Sequence, residues 1–284
     1  MDIFESFILG SIQGLTEFIP VSSSGHLYFL SYLLGIKTPP TAFILSVQIG
    51  TLFALLIYFR KKIQKYSTSL VKFIRKRKMK FVEKQDVNVV FNVIIATIPA
   101  ILLGLVVNRP LETFYDTVVG DSHNIYLVTS IPMILVGIIF LLEKKIFKKN
   151  KLRIEEVTRK KALIIGISQT ISFIRGISRS GITLITGQGV GLSRVAITEF
   201  TFLMSIPISI LTSALGVLNI IRQTNQNLNV IIVVIGIISS FLTGYLAIDF
   251  LMKYVKKKDL SIFGWYRVIV GVILFVLFLS TAPN

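Results

Sequence analysis

The sequence predicts an all-α membrane protein: six transmembrane helices plus two re-entrant helix–loop–helix hairpins, arranged as an inverted-topology repeat. Three observations predict it. Apolar residues make up 53% of the 284 and charged residues 16%, with a mean hydropathy of +0.75. A soluble domain carries about 25% charge, so this chain cannot cover a water-facing surface, and its apolar richness equally excludes disorder. Of the 31 Lys and Arg, 24 fall in three stretches between apolar runs, the pattern of cytoplasmic loops under the positive-inside rule. Finally, two apolar regions are interrupted in the middle by Gly, Ser and charge, and they match each other at a constant spacing.

In chain order, the start Met1-Asp2-Ile3-Phe4-Glu5 is acidic. A signal peptide begins with positive charge, so the first apolar stretch is expected to belong to the mature protein. Residues 3–19 and 27–35 flank the segment Pro20-Val21-Ser22-Ser23-Ser24-Gly25-His26. A helix needs about 20 apolar residues to cross the hydrocarbon core, and irregular backbone at that depth is tolerated only in protein or beside a wet cavity. The region 3–35 therefore reads as a re-entrant hairpin. Spans follow at 42–59, 87–107 and 125–142, separated by a basic stretch (60–84) and an acidic one (108–124). After a second basic stretch (144–161), residues 162–174 and 182–192 flank Arg175-Gly176-Ile177-Ser178-Arg179-Ser180-Gly181, the second hairpin (162–192). Spans at 196–216, 230–251 and 262–280 complete the chain, with the last basic stretch at 253–258. Basic stretches are expected in the cytoplasm and the others outside. A competing reading makes some hairpin arms full spans, with the motifs at the water interface.

At an offset of 156, Gly10 meets Gly166, Gln13 meets Gln169, Ser22 meets Ser178, Ser24 meets Ser180, Gly25 meets Gly181 and Gly35 meets Gly191. Three spans separate the hairpins, so the second copy is upside down. One integral membrane domain is expected, with a first repeat at 1–150 and a second at 162–284. Such a plan places a site near the midplane, where discontinuous helices meet.

Several function classes drop out. The chain has no cysteine, which removes disulfide scaffolds, thiol catalysis and cysteine zinc sites. Two histidines cannot build a histidine metal cage. The net charge of +17 sits in juxtamembrane stretches, so no nucleic acid partner is expected.

Gln13 and Glu17, four apart, share one helix face. A carboxylate in an apolar run is costly, so Glu17 requires a wet pocket, a cation or a partner. The second hairpin offers Arg175 and Arg179 with Ser178, Ser180 and Thr183. Arginine's planar fork suits bidentate contact to phosphate, and the backbone N–H groups at a helix start favour the same anion. Together the two loops hold a carboxylate, an amide, hydroxyls, an imidazole and two guanidiniums, an inventory for phosphoryl transfer. The bland counterpart is that serine and glycine in membrane helices serve packing. Glu199, Asp249 and Arg267 are expected to pair with one another or to sit at helix ends. His123 is expected to be solvated, and Trp265 and Tyr266 to form part of an interfacial aromatic belt.

Gln13-Gly-Leu-Thr-Glu17-Phe-Ile-Pro20-Val-Ser22-Ser23-Ser24-Gly25-His26 strongly resembles the first signature of the undecaprenyl-diphosphatase family, the bacitracin-resistance phosphatases. Gly176-Ile177-Ser178-Arg179-Ser180-Gly181-Ile182-Thr183 is similar to its second, and Gln48-Ile49-Gly50, Glu199-Phe200-Thr201-Phe202 and Tyr266-Arg267 extend the likeness over essentially the whole chain. The chain departs from the pattern twice. Gln13 stands where many members carry Glu, and Arg175 replaces the proline that opens the second motif.

The resemblance implies removal of the terminal phosphate of undecaprenyl diphosphate at the bacterial plasma membrane, with the site open to the external face. Carrier-lipid recycling for cell-wall synthesis and bacitracin resistance follow from that activity. It also implies a divalent cation, Mg²⁺ or Ca²⁺; Glu17 with Gln13 either binds it or orients His26. His26, Ser23, Glu17 and Arg179 take the catalytic roles; Arg179, Ser178, Ser180, Thr183, Arg175 and Ser22 contact phosphate. The nucleophile is Ser23 activated by His26, His26 itself, or a water that His26 deprotonates. Expected partners are the polyprenyl diphosphate lipid and membrane lipids, with room for a homodimer. The rival class is an inverted-repeat transporter or flippase of a phosphate-bearing lipid or anion, since broken helices build carriers too.

Overall fold

Backbone polar groups cannot be left unpaired in hydrocarbon, so long apolar runs become helices that satisfy them internally. A computed structural model of the chain, describing residues 1–35, 41–118, 124–147, 150–222 and 230–280, is helical almost throughout. Among the described residues its β pairing is one isolated bridge, Leu152 to Leu192. The helices are α1 (Ile3–Phe18), α2 (Ser23–Leu33), α3 (Thr41–Tyr58), α4 (Arg60–Ile74), α5 (Phe81–Val118), α6 (Asn124–Leu141), the single turn α7 (Glu143–Ile146), α8 (Arg159–Gln169), α9 (Arg179–Gly189), α10 (Arg194–Arg222), α11 (Val230–Tyr254) and α12 (Ser261–Ser280).

Five described helices are long and apolar enough to cross a membrane, and six if α3 and α4 count as one bent span. The five coincide with expected stretches, and the sixth, 42–59, coincides with α3, which reaches spanning length only together with α4; two further differences appear. The basic stretch 60–84 is not a loop: it carries α4 and the first turn of α5. The acidic stretch 108–124 is helical through Val118. In both places charge marks where the chain leaves the hydrocarbon, but charge does not break a helix. His123 lies outside the described residues.

Both broken regions are broken here too. Between α1 and α2 the chain leaves helical geometry at 19–22. Beyond α8, a 3₁₀ turn (Thr170–Phe173) leads into an irregular segment before α9. The arms after the breaks are short, 11 residues each.

Small residues let the helices approach. A Cβ at Gly10 would collide with Ser239 Oγ and the Gly236 carbonyl on α11, and one at Gly166 would collide with the Ala96 carbonyl on α5. Ser6 Oγ donates to the Ile232 carbonyl (2.6 Å) and Thr243 Oγ1 to the Ser11 carbonyl (3.0 Å), so α1 starts beside the start of α11 and runs with it. In the same way α8 starts beside the early turns of α5, where Asn92 Nδ2 donates to the Val157 carbonyl (2.6 Å).

The basic stretches gather at one end of the bundle. Lys62 of α4 pairs with Glu199 of α10. Arg194 of α10 pairs with Glu143, which also accepts from the Leu260 backbone N–H (2.6 Å), and Lys144 pairs with Asp259 (2.6 Å). Asp259 is partly desolvated, which raises its pKa, yet hydrogen bonds from Lys144 and Ser261 outweigh that and hold its carboxyl well below the usual range. Above this end lies the largest apolar core, with Phe18, Phe59, Phe140, Leu184, Phe200 and Phe202 all buried. Phe202 meets Phe18 edge-on at 5.4 Å and Phe59 at 6.1 Å. This core packs around the ends of α1 and α9, so both breaks are seated on rigid packing.

Candidate active site where the two breaks meet

Each break is made by a serine in a conformation that side chains rarely adopt. Ser22 has φ +78° and Ser178 has φ +70°, the left-handed region that disfavours a Cβ and costs on the order of 1–3 kcal/mol. Each serine then caps the helix that follows. Ser22 Oγ accepts from the Gly25 N–H (3.4 Å), and Ser178 Oγ accepts from the Gly181 N–H (3.3 Å). The hydroxyls of Ser22 and Ser24 lie 3.5 Å apart, those of Ser178 and Ser180 3.1 Å apart. Ser22 and Ser178 thus shape the breaks, with Ser24 and Ser180 beside them.

The strained backbones are locked together by one side chain. Arg267 of α12 is completely buried. Its guanidinium donates to the Pro20 carbonyl in the first break (3.1 Å) and to the Gly176 and Ile177 carbonyls in the second (2.7 and 3.1 Å). A charged group without water needs full hydrogen bonding, and the irregular backbone needs donors for its carbonyls. The two terminal nitrogens of Arg267 meet the carbonyls of both breaks, while its Nε finds no partner among the described residues. Arg267 therefore pairs with neither Glu199 nor Asp249; those two are held by Lys62 and by Lys253 (2.6 Å).

The chemistry converges on Glu17, at the end of α1. One carboxylate oxygen accepts from Gln13 Nε2 (3.0 Å) and from Ser23 Oγ (3.0 Å), and the other accepts from Arg179, 162 positions away. So Gln13, Glu17, Ser23 and Arg179 form one connected cluster, with Glu17 and Arg179 only partly exposed. Arg179 itself stands at the first position of α9, and Thr183 below it donates to the Arg179 and Ser180 carbonyls (2.9 and 3.1 Å) while accepting from Thr201 (3.1 Å). The Thr183 hydroxyl thus secures the turn that carries Arg179. Arg175 is half-buried at the mouth of the second break.

His26 is the member placed differently from expectation. Its Nδ1 lies 2.8 Å from the Ser22 carbonyl and its Nε2 2.7 Å from the Tyr266 hydroxyl. A carbonyl only accepts, so Nδ1 carries the proton, and in the neutral ring Nε2 accepts from Tyr266. The rings stack nearly parallel, with centroids 5.5 Å apart. Ser23, its neighbour in the motif, bonds to Glu17 and not to His26. Tyr266 therefore touches the candidate site as well as being exposed like the adjacent Trp265, a contact the aromatic-belt reading did not include. The signal for Arg267 was present, since an arginine inside an apolar run needs a purpose. Tyr266 was signalled only by the family likeness of Tyr266-Arg267, not by its own chemistry.

Among the described residues no three His, Cys, Asp or Glu come together as a metal site. The donor set at hand is one carboxylate and one amide, Glu17 with Gln13. Both oxygens of that carboxylate already accept from Gln13, Ser23 and Arg179, so a hard cation would reach Glu17 only once Arg179 turns away, with substrate phosphates completing its coordination.

The sequence model of the family described as Bacitracin resistance protein BacA matches residues 6–273. Among similar proteins, the undecaprenyl-diphosphatase of Lactobacillus delbrueckii subsp. bulgaricus is 32% identical over 281 residues, covering 96% of each chain. That of Enterococcus faecalis is 33% identical over 285 residues, again 96% of each, and that of Chlorobium chlorochromatii 35% over 282, 96% of this chain and 95% of the relative. The match runs through both breaks and through the α12 residues that lock them, and on that evidence this chain belongs to the bacitracin-resistance BacA family.

Proposed function

We infer that the protein hydrolyses undecaprenyl diphosphate to undecaprenyl phosphate and inorganic phosphate. The observation that carries this reading is the single carboxylate of Glu17 shared by a hydroxyl and a guanidinium from the opposite break. Before substrate arrives, Arg179 is held by Glu17. A diphosphate entering the junction offers Arg179 a better, bidentate partner. Once the guanidinium turns to phosphate, Glu17 keeps Ser23 as its hydrogen-bond donor and can take its proton.

On this reading Ser23 Oγ attacks the terminal phosphorus, its proton passing to Glu17. The anhydride P–O bond breaks, undecaprenyl phosphate leaves, and the phosphoryl group rests on Ser23. Water then attacks that phosphorus, releasing inorganic phosphate and restoring Ser23. Catalysis of phosphoryl transfer is mostly positioning and charge stabilisation, and Arg179 supplies the positive charge. His26, with its Nε2 directed at Tyr266, stands next to the cluster as the proton relay for the water step. Ser22, Ser178, Ser180 and Arg175 line the approach as phosphate donors, and Thr183 acts through Arg179. A divalent cation, Mg²⁺ or Ca²⁺, held by Glu17 and Gln13 would neutralise further phosphate charge.

The surrounding architecture is proposed to be two re-entrant hairpins, α1–α2 and α8–α9, in an inverted-topology repeat with its halves at 1–150 and 162–284. Support comes from exchanged packing: α1 runs beside α11 and α8 beside α5, so the two hairpins enter from opposite ends of the bundle. The arms α2, α8 and α9, at 11 residues each, are about 17 Å long, roughly half a bilayer core. With the basic end in the cytoplasm of a plasma-membrane protein, α1 starts outside and the junction opens to the external face. A homodimer is compatible with this arrangement.

The test is an acid-quenched single turnover with substrate labelled in its terminal phosphate. Label trapped on the native protein and lost in Ser23→Ala supports the serine route. Native turnover without trapped label, and a Ser23→Ala variant that still releases phosphate, would assign the attack to water. Counterflow of the lipid in vesicles without phosphate release would favour the carrier class.

A further inference from the structure

The helix that follows α3 has no part in the chemistry above, and its construction is unusual for a connector. It leaves α3 at an angle of 74°. Such a bend, in a helix lined with lysine and arginine, suits one that lies along a membrane surface. One face of α4 is fixed to the bundle: Tyr66 and Ser69 are buried, Lys62 pairs with Glu199, Lys65 with Asp86 (2.8 Å), and Ser69 Oγ donates to Asp86 (3.1 Å). The helix ends on Lys76, in left-handed geometry at φ +51°, with Lys76 and Arg77 N–H closing onto the Phe73 and Lys72 carbonyls (both 3.0 Å). Lys72 pairs with Glu83 (2.5 Å), which also accepts from the Lys80 N–H (2.8 Å). The turn is therefore a built corner of fixed shape.

That corner presents Arg75, Lys76, Arg77, Lys78 and Lys80, all exposed, and none of the five forms an ion pair among the described residues. On either side stand exposed apolar side chains: Phe73 and Ile74 at 48% and 67%, Phe81 and Val82 at 74% and 52%. Bare cations beside bare aromatic and aliphatic groups, at the level where helices enter hydrocarbon, match one environment. Apolar groups sink past the headgroups while lysine and arginine reach phosphates.

We propose that α4 and the corner at 75–80 form an arm that binds the headgroups of anionic phospholipids in the leaflet on the basic side of the bundle. The occupant is a lipid bearing net negative charge. An acidic protein would pair with the cations but would leave the four flanking apolar side chains uncovered.

The experiment uses the full chain, delipidated in uncharged detergent and titrated with phosphatidylglycerol or phosphatidylcholine, with bound lipid counted by native mass spectrometry. The native protein is expected to prefer phosphatidylglycerol by about tenfold or more, and the preference falls as salt is raised. In a variant with Arg75→Gln, Lys76→Gly, Arg77→Gln and Lys78→Gln the preference drops below about threefold. Glycine suits the left-handed position, so the corner keeps its shape. Equal binding of both lipids by the native protein, or full preference in the variant, overturns the proposal. So does tighter binding of a polyglutamate peptide than of either lipid. Phosphate release in detergent is expected to be the same for both proteins. If the native protein releases none, the phosphatase reading fails while the lipid result stands by itself.

Discussion

The two breaks share a scaffold and differ in cargo. Ser22 and Ser178 have the same left-handed backbone, the same capping bond to a glycine three residues on, and the same arginine donating to their approach. At the same offset, however, Glu17 corresponds to Phe173, Ser23 to Arg179 and His26 to Ile182. One break carries the acid, the hydroxyl and the imidazole; the other carries the guanidinium. A break by itself is only a way to place irregular backbone among packed helices. The difference at three positions makes the pair complementary, because like charges facing each other there would repel where opposite ones bind.

The largest expected effect comes from removing the complementarity. Arg179→Ala and Glu17→Gln should each lower phosphate release from a polyprenyl diphosphate by about a thousandfold, the scale at which a single charge-stabilising donor acts. Elution as a folded monodisperse species, checked by size exclusion, separates chemistry from collapse. The sharper version exchanges the charges: Glu17→Arg with Arg179→Glu restores an ion pair yet leaves the hydroxyl of Ser23 beside a guanidinium. That double variant is expected to fold and remain inactive. Recovery of activity would show that the pair matters only as a structural clasp.

Next in size is the imidazole. His26→Ala is expected to lose about a hundredfold or more in rate, the range of general acid–base assistance. Tyr266→Phe keeps the stacked ring but frees Nε2, and about a tenfold loss with a displaced pH–rate profile is expected. A Tyr266→Phe enzyme with native rate and native pH profile would reduce the tyrosine to packing.

Much of this was legible beforehand, and the boundary is physical. Spans announce themselves by composition, so the expected 230–251 and 262–280 fall within the observed Val230–Tyr254 and Ser261–Ser280. The breaks were legible because Gly, Ser and Arg in an apolar run need a reason. Helix α4 was not, because its charge drew the eye to a loop. Its buried side carries Ile63, Tyr66 and Leu70 at helical spacing, a period that would have revealed it. The partner of His26 lies 240 positions away, and no local pattern encodes a contact of that kind.

A smaller effect tests the shared scaffold. Ser22→Gly and Ser178→Gly each relieve the strained φ while losing a cap, so opposing terms of about 1 kcal/mol leave stability nearly unchanged. Ser→Ala at either position loses the cap and keeps the strain, and is expected to cost about 1–2 kcal/mol. Thermal unfolding in detergent measures both, and the scaffold argument requires the two breaks to respond alike. Opposite signs at positions 22 and 178 would show that their resemblance is only in sequence.

The smallest expected effect concerns a glutamine that stands at the same offset in each break. Gln13 and Gln169 occupy equivalent positions, and both are buried. Gln13 has a carboxylate four residues on and donates to it. Gln169 has Phe173 at that place, and among the described residues neither its amide nitrogen nor its oxygen finds a hydrogen-bond partner. A buried polar group without a partner costs about 1–3 kcal/mol, whereas an apolar group of the same shape costs nothing of the kind. Gln169→Leu should therefore leave phosphate release intact and raise the unfolding midpoint slightly, while Gln13→Leu strips Glu17 of a donor and lowers the rate. The asymmetry follows from the surroundings: an amide is useful only beside an acid that can receive it. If Gln169→Leu instead lost activity, its amide would have to be meeting substrate, and the second break could no longer be assigned the guanidinium alone.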